Sequence, residues 1–167
     1  MKNSANSVFS LFTYSYDCSS INSISCNDFC IMNNDNTVQT TTSVVCITSD
    51  GDNPSYFDQR DIELSGDQQR VLSEQIQALN FRLRESPSNY VSGWHVANDP
   101  TLLIILSGSI SVELRNGKNK KFIPGEMFVA QDFIAEGKVF DSEKHGHRAS
   151  VVGNEKLVAL HLKLSKR

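Results

Sequence analysis

The chain carries four histidines, and their positions are the first place to look for chemistry. His145 and His147 stand two residues apart, so in an extended segment both side chains point the same way. His95 follows Trp94, which puts those two side chains on opposite faces of a regular strand and makes Trp94 a core residue before a ligand platform. His161 sits among the alternating apolar residues of the last strand-like run. An imidazole titrates near neutral pH and serves equally as acid, base or metal ligand. The plainer role of His95 is a hydrogen-bonded group in a pocket wall. The plainer role of His145 is a solvated loop residue, and that of Asp132 is ordering the loop it begins.

Other reactive patterns are sparse. Cys26 and Cys30 have a spacing that some zinc sites use, but a complete site needs four ligands and residues 1–43 contain no histidine. The four cysteines are therefore read as free thiols in a reducing cytosol. No nucleophile elbow, phosphate loop or dinucleotide fingerprint is present, nor a Cys–His pair in a nucleophile context.

The elements that must position these side chains are strands. Val44 to Thr48 is β-rich and ends at the turn signal Ser49-Asp50-Gly51-Asp52. Phe57 to Leu64 alternates imperfectly, and the polar stretch 67–77 predicts at most one helical turn. Leu79, Phe81 and Leu83 alternate with Asn80, Arg82 and Arg84, the pattern of a half-buried strand. Tyr90 to Val96 reads as a strand. Leu102 to Leu106 is a continuous apolar run, as in a strand buried on both faces. Ile110, Val112 and Leu114 alternate with polar residues and lead into Asn116-Gly117, a two-residue hairpin signal. Pro124-Gly125 marks a further turn before Met127 to Ala130. Residues 133–146 read as a charged loop, and Arg148 to Val152 and Leu157 to Leu164 as the last strands. About nine or ten short strands at hairpin spacing, with no long amphipathic helix, predict an all-β sandwich or barrel.

The 167 residues suit one domain. Residues 1–43 are rich in Ser, Asn and Thr and lack a sustained period, which predicts a disordered tail. The barrel is expected over 44–164, with a short tail at 165–167. Met32 suggests that translation starts there, so that residues 1–31 are never made; the intact mass of the endogenous protein decides this. The net charge of −3 gives no reason to expect nucleic acid or an anionic membrane as partner. No apolar run approaches the ~20 residues that span a bilayer. Neither a signal peptide nor a mitochondrial presequence is recognisable, so the expected location is cytoplasmic.

Two blocks resemble the cupin superfamily. The first is Gly93-Trp94-His95 … Leu106-Ser107-Gly108-Ser109-Ile110, and the second is Phe122-Ile123-Pro124-Gly125-Glu126-Met127 … Gly146-His147-Arg148. With the opening Thr48-Ser49-Asp50-Gly51 the chain is similar to small single-barrel cupins of poorly defined function. The resemblance implies a cupin-type antiparallel β-barrel, jelly-roll-like, with a small-ligand pocket at its mouth. Metal-binding cupins take His-x-His and a Glu from the first block and a His from the second. His95 and His147 match two of those positions, while Ala97 and Thr101 stand at the others. Asp132 would complete a two-His, one-carboxylate set suited to non-haem Fe(II), with Gln131, Glu143 and His145 as substitutes; the expected cofactor, if any, is a divalent transition metal, Fe, Mn, Ni or Zn.

The implied function is small-molecule binding at a pocket lined by His95 and His147, with Trp94, Thr101 and His161 nearby. The alternatives are a metal-dependent dioxygenase or isomerase, and a metal-free isomerase pairing His95 with Asp132 or His147 with Tyr90. A further alternative is a non-catalytic homodimer joined through the edge strand Ala78 to Arg84.

Overall fold

The computed structural model describes residues 37–165. Ten strands follow one another: β1 (Val38–Thr48), β2 (Tyr56–Gly66), β3 (Val71–Ser73), β4 (Ala78–Ser86), β5 (Thr101–Ser107), β6 (Ile110–Leu114), β7 (Asn119–Phe122), β8 (Met127–Ala130), β9 (His147–Val151) and β10 (Leu157–Leu164). A seven-stranded sheet has the order β3-β2-β1-β8-β5-β10-β4, and a three-stranded sheet the order β7-β6-β9. Every pairing is antiparallel except β1 with β8. No helix among the described residues is long and apolar enough to cross a membrane.

The inward faces of the two sheets meet in one core. Ile47, Leu103, Ile105, Phe128 and Ala159 come from the large sheet, and Ile110, Val112, Leu114, Phe122 and Val151 from the small one. Phe122 and Phe128 stack across the gap with centroids 4.3 Å apart. Burying such side chains contributes roughly 1.5–3 kcal/mol each, and the strand period of two delivers them to one face.

Several sequence expectations shift. Residues 38–43, assigned to the tail, are the first half of β1 and pair with Asp61–Gly66 of β2. Their side chains are exposed, so they carry no burial pattern to read. Residues 1–36, with most of the expected tail, the Met32 start and three of the cysteines, lie outside the described residues. The helical turn expected in 67–77 is replaced by β3, which closes a tight hairpin on β2. Residues 90–96 form no regular strand; two isolated bridges, Val91 to Ser150 and His95 to His147, and a hydrogen bond from the Ala149 amide to Ser92 Oγ tie them to β9. In β5 the inward Leu103 and Ile105 are buried, but Leu102 and Ile104 are half-buried and Leu106 is exposed. One face of that strand is therefore only partly covered.

The hairpin at Asn116-Gly117 forms, with Gly117 alone at positive φ. The Gly117 amide donates to the Leu114 carbonyl, and the Leu114 amide to the Lys118 carbonyl. This is a type I turn followed by a left-handed glycine, in place of the two-residue turn expected.

Candidate functional site

His95 and His147 meet because two segments are held backbone to backbone. The amide of each donates to the carbonyl of the other, at 3.0 and 2.9 Å. Gly146 permits this approach: it has φ 83°, and a Cβ there would strike the His95 carbonyl. The two rings end up 4.5 Å apart between centroids, tilted by 52°.

Each ring is fixed by its Nδ1. That of His95 donates to the Gly93 carbonyl at 2.8 Å, and that of His147 to Asp132 Oδ2 at 2.8 Å. Asp132 is fully buried. Its Oδ2 also accepts from Ser55 Oγ at 2.7 Å, and its Oδ1 from the Ala97 amide at 3.0 Å. A buried carboxylate with three donors is well satisfied. It orients the imidazole in front of it, as carboxylates behind histidines commonly do.

Nε2 is then the remaining nitrogen on each ring. His147 is a buried residue, yet the one sealed and unpartnered side-chain nitrogen or oxygen among the described residues is Nε2 of His145. Nε2 of His147 therefore reaches open space. That space is a cavity of about 570 Å³ in the barrel lumen, lined by both rings. Burial pushes the His95 imidazole below its ordinary range, and the His147 ring works in the same direction. The pair presents a nitrogen acceptor backed by a carboxylate, beside a second imidazole that favours its neutral form.

The other predicted residues separate. Thr101 and His161 line the cavity. The Thr101 hydroxyl is turned to the Asp99 carbonyl at 3.0 Å. Trp94 does not line it: its ring face carries the Arg115 and Arg148 guanidinium groups at 3.6 and 5.1 Å. Asp132 stands behind His147, with both oxygens engaged, so it does not complete a set of donors around a shared centre. Gln131 turns away and accepts from Arg60 at 3.0 Å. Tyr90 lies under Arg84, with 4.6 Å from guanidinium to ring centre.

His145 is not a solvated loop residue but is buried. Its Nδ1 accepts from the Asp141 amide at 3.0 Å, and its Nε2 lies 3.9 Å from Asp52. Lys138 and Lys144 pair with the same Asp52 and help clasp the 133–146 loop.

A transition metal fits this arrangement poorly. Such ions take three or four protein donors in pockets of this kind; the lumen holds the paired imidazoles of His95 and His147 and a third, His161, that is not grouped with them, and Ala97 and Thr101 stand at the other positions. Among the described residues no three His, Cys, Asp or Glu side chains are grouped to hold a metal ion.

Ser55, the Gly93 carbonyl, Asn80, Arg82, Arg84 and Lys163 belong to the site or its walls and were not singled out from the sequence. The alternation in β4 and β10 contained Arg82, Arg84 and Lys163, but which face is inward depends on the register between the strands.

No family model matches the sequence, and no curated protein matches it. Solved structures with a similar shape include protein NMB1881 from Neisseria meningitidis, at 20% identity over 55% of this chain and 84% of that one, with a TM-score of 0.36. The polyketide cyclase RemF from Streptomyces resistomycificus has 20% identity over 52% of this chain and 56% of its own, with a TM-score of 0.37. The Cnp3 cupin domain from Schizosaccharomyces pombe has 13% identity over 77% and 84%, with a TM-score of 0.34. These likenesses are partial, with every TM-score below 0.5. Within this chain, the His95 and Gly146-His147 segments lie side by side, bridged backbone to backbone, and bring both imidazoles to the same cavity. The described residues form an all-β, two-sheet barrel.

Proposed function

We propose that this protein binds a small molecule in the barrel lumen, with His95 and His147 as its polar floor. The observation that carries this reading is the accessible Nε2 of His147, oriented by Asp132 and open to a cavity of about 570 Å³. Pockets of this size with convergent polar groups beside apolar walls suit small ligands. The test is a thermal-shift screen of a metabolite library against the protein and its Ala97→Leu variant, which narrows the cavity beside the rings. A ligand should raise Tm in the first and not in the second, with the unliganded variant still folded. Equal shifts in both would place binding elsewhere and defeat the proposal.

A second reading, self-association, has its own support. β4 has one sheet neighbour, β10, so its far edge is unpaired among the described residues. Leu79, Phe81 and Leu83 on it are exposed, Phe81 by 71%. An edge strand meeting its own copy about a two-fold axis is self-complementary. Sedimentation should give a dimer mass that Phe81→Asp shifts toward the monomer; a monomer at all concentrations would count against it.

A further inference from the structure

The strand β4 is patterned in reverse. A strand with one face on the lumen and one outward is expected to turn apolar residues in and charged residues out. In the register with β10, Asn80 lies opposite Lys163, Arg82 opposite His161 and Arg84 opposite Ala159. These side chains share the lumen face, and Asn80, Arg82, Arg84, His161 and Lys163 all line the cavity. Phe81 and Leu83 lie opposite Leu162 and Leu160, on the other face of the sheet, although Leu79 and Phe81 also border the cavity. The cations of this edge are therefore directed toward the lumen.

We infer that the ligand of this lumen is an anion, a small molecule whose carboxylate or phosphate group sits against Arg82, Arg84 and Lys163. This rests on the small-molecule reading of the same cavity and names its ligand class. Among the described residues none of the three cations pairs with a carboxylate. Asp99 is the one acidic residue lining the same space, and Asp132 is turned away behind His147. Arg84 is already oriented: its Nε donates to Ser86 Oγ at 3.0 Å and its guanidinium rests on the Tyr90 ring. A planar fork held in place suits an oxyanion. The imidazole among them reports the same field. Burial first, then Arg84, Arg82 and Lys163, bring His161 down to about 4, so it stays uncharged near neutrality as a hydrogen-bonding group. Like charges facing one space repel, and a bound anion relieves that repulsion. The apolar depth of the lumen, with Leu103, Ile110 and Phe128, takes the rest of the molecule.

The experiment titrates the full-length protein with matched probes on phenyl, pyridyl and short alkyl skeletons. Each skeleton is offered as carboxylate, phosphate ester, amide and amine. Binding is read from the ring C–H signals of His95 and His161 in a 13C-labelled sample, which report the lumen directly. The anions should move both signals, and the tighter of carboxylate and phosphate names the group. Affinity should fall about tenfold in Arg82→Gln and again in Lys163→Gln, the loss of one charge-assisted contact each. It should be unchanged in Lys121→Gln, on β7, and each variant should keep its melting transition. Amides or amines binding as well as the anions, or anions indifferent to both lumen substitutions, would overturn the anion assignment and leave a small-molecule site standing. If no probe moves either histidine, both readings fall together.

Discussion

At the residue scale the site hangs on Asp132. Removing it by Asp132→Ala leaves Ser55 Oγ, the Ala97 amide and His147 Nδ1 without their acceptor. Breaking a buried network of this kind costs about 3–5 kcal/mol. Urea unfolding should show a loss of that size, whereas a loss below about 1 kcal/mol would mean the carboxylate is not so engaged. His161 makes a separate prediction. Folding lowers its titration from the ordinary 6.5 to about 4. Between those values the unfolded chain binds more protons than the native one, so stability rises with pH across that window and falls as the solution is acidified through it. His161→Gln should flatten stability against pH from about 4 to 6.5, leaving the curve above pH 7 unchanged in slope. An unaltered acid limb would show that His161 titrates normally. Both pocket imidazoles of the paired blocks were legible in the sequence, since motif and position coincide. The part Asp132 plays was not: a carboxylate next to a strand end reads equally as ligand or as support, and only the direction of its oxygens separates the two.

At the scale of elements, the close approach of β9 to the segment before it decides whether the two rings meet. Gly146→Ala adds a methyl against the His95 carbonyl and forces a side chain into positive φ. The expected loss is about 3 kcal/mol or more, with the His95 ring displaced. Full stability with unchanged ring signals would contradict the close contact. The element pattern itself was largely readable, because alternation in Ile110–Leu114 and glycine at 108, 117 and 125 are local signals. Three features escaped for physical reasons. Residues 38–43 pair through backbone while their side chains stay in water. The segment before His95 is held by two bridges and no ladder. In β4 the alternation was clear but its polarity was inverted, and a period of two cannot say which face is inward.

At the scale of the whole molecule, the same register that turns Arg82 and Arg84 to the lumen puts Phe81 and Leu83 on the other face of the sheet. One inversion thus produces both an electropositive cavity mouth and an exposed apolar edge. Exposed apolar patches of this kind are commonly covered by a partner. If the two are linked, the Leu83→Asp variant should lose self-association while retaining ligand binding, because Leu83 lies opposite Leu160 and outside the cavity lining. Loss of both together would mean that the lumen is completed by the second copy.

The claim beneath all of this is that two imidazoles present Nε2 to the lumen, held by the Gly93 carbonyl and the Asp132 carboxylate. Long-range 1H–15N spectra of the histidine rings at pH 9 test it directly. The expected result is a proton on Nδ1 and a bare Nε2 for both His95 and His147, with the His147 proton moving to Nε2 in Asp132→Asn, where the amide supplies a donor. A proton on Nε2 of His147 in the unaltered protein would contradict the account.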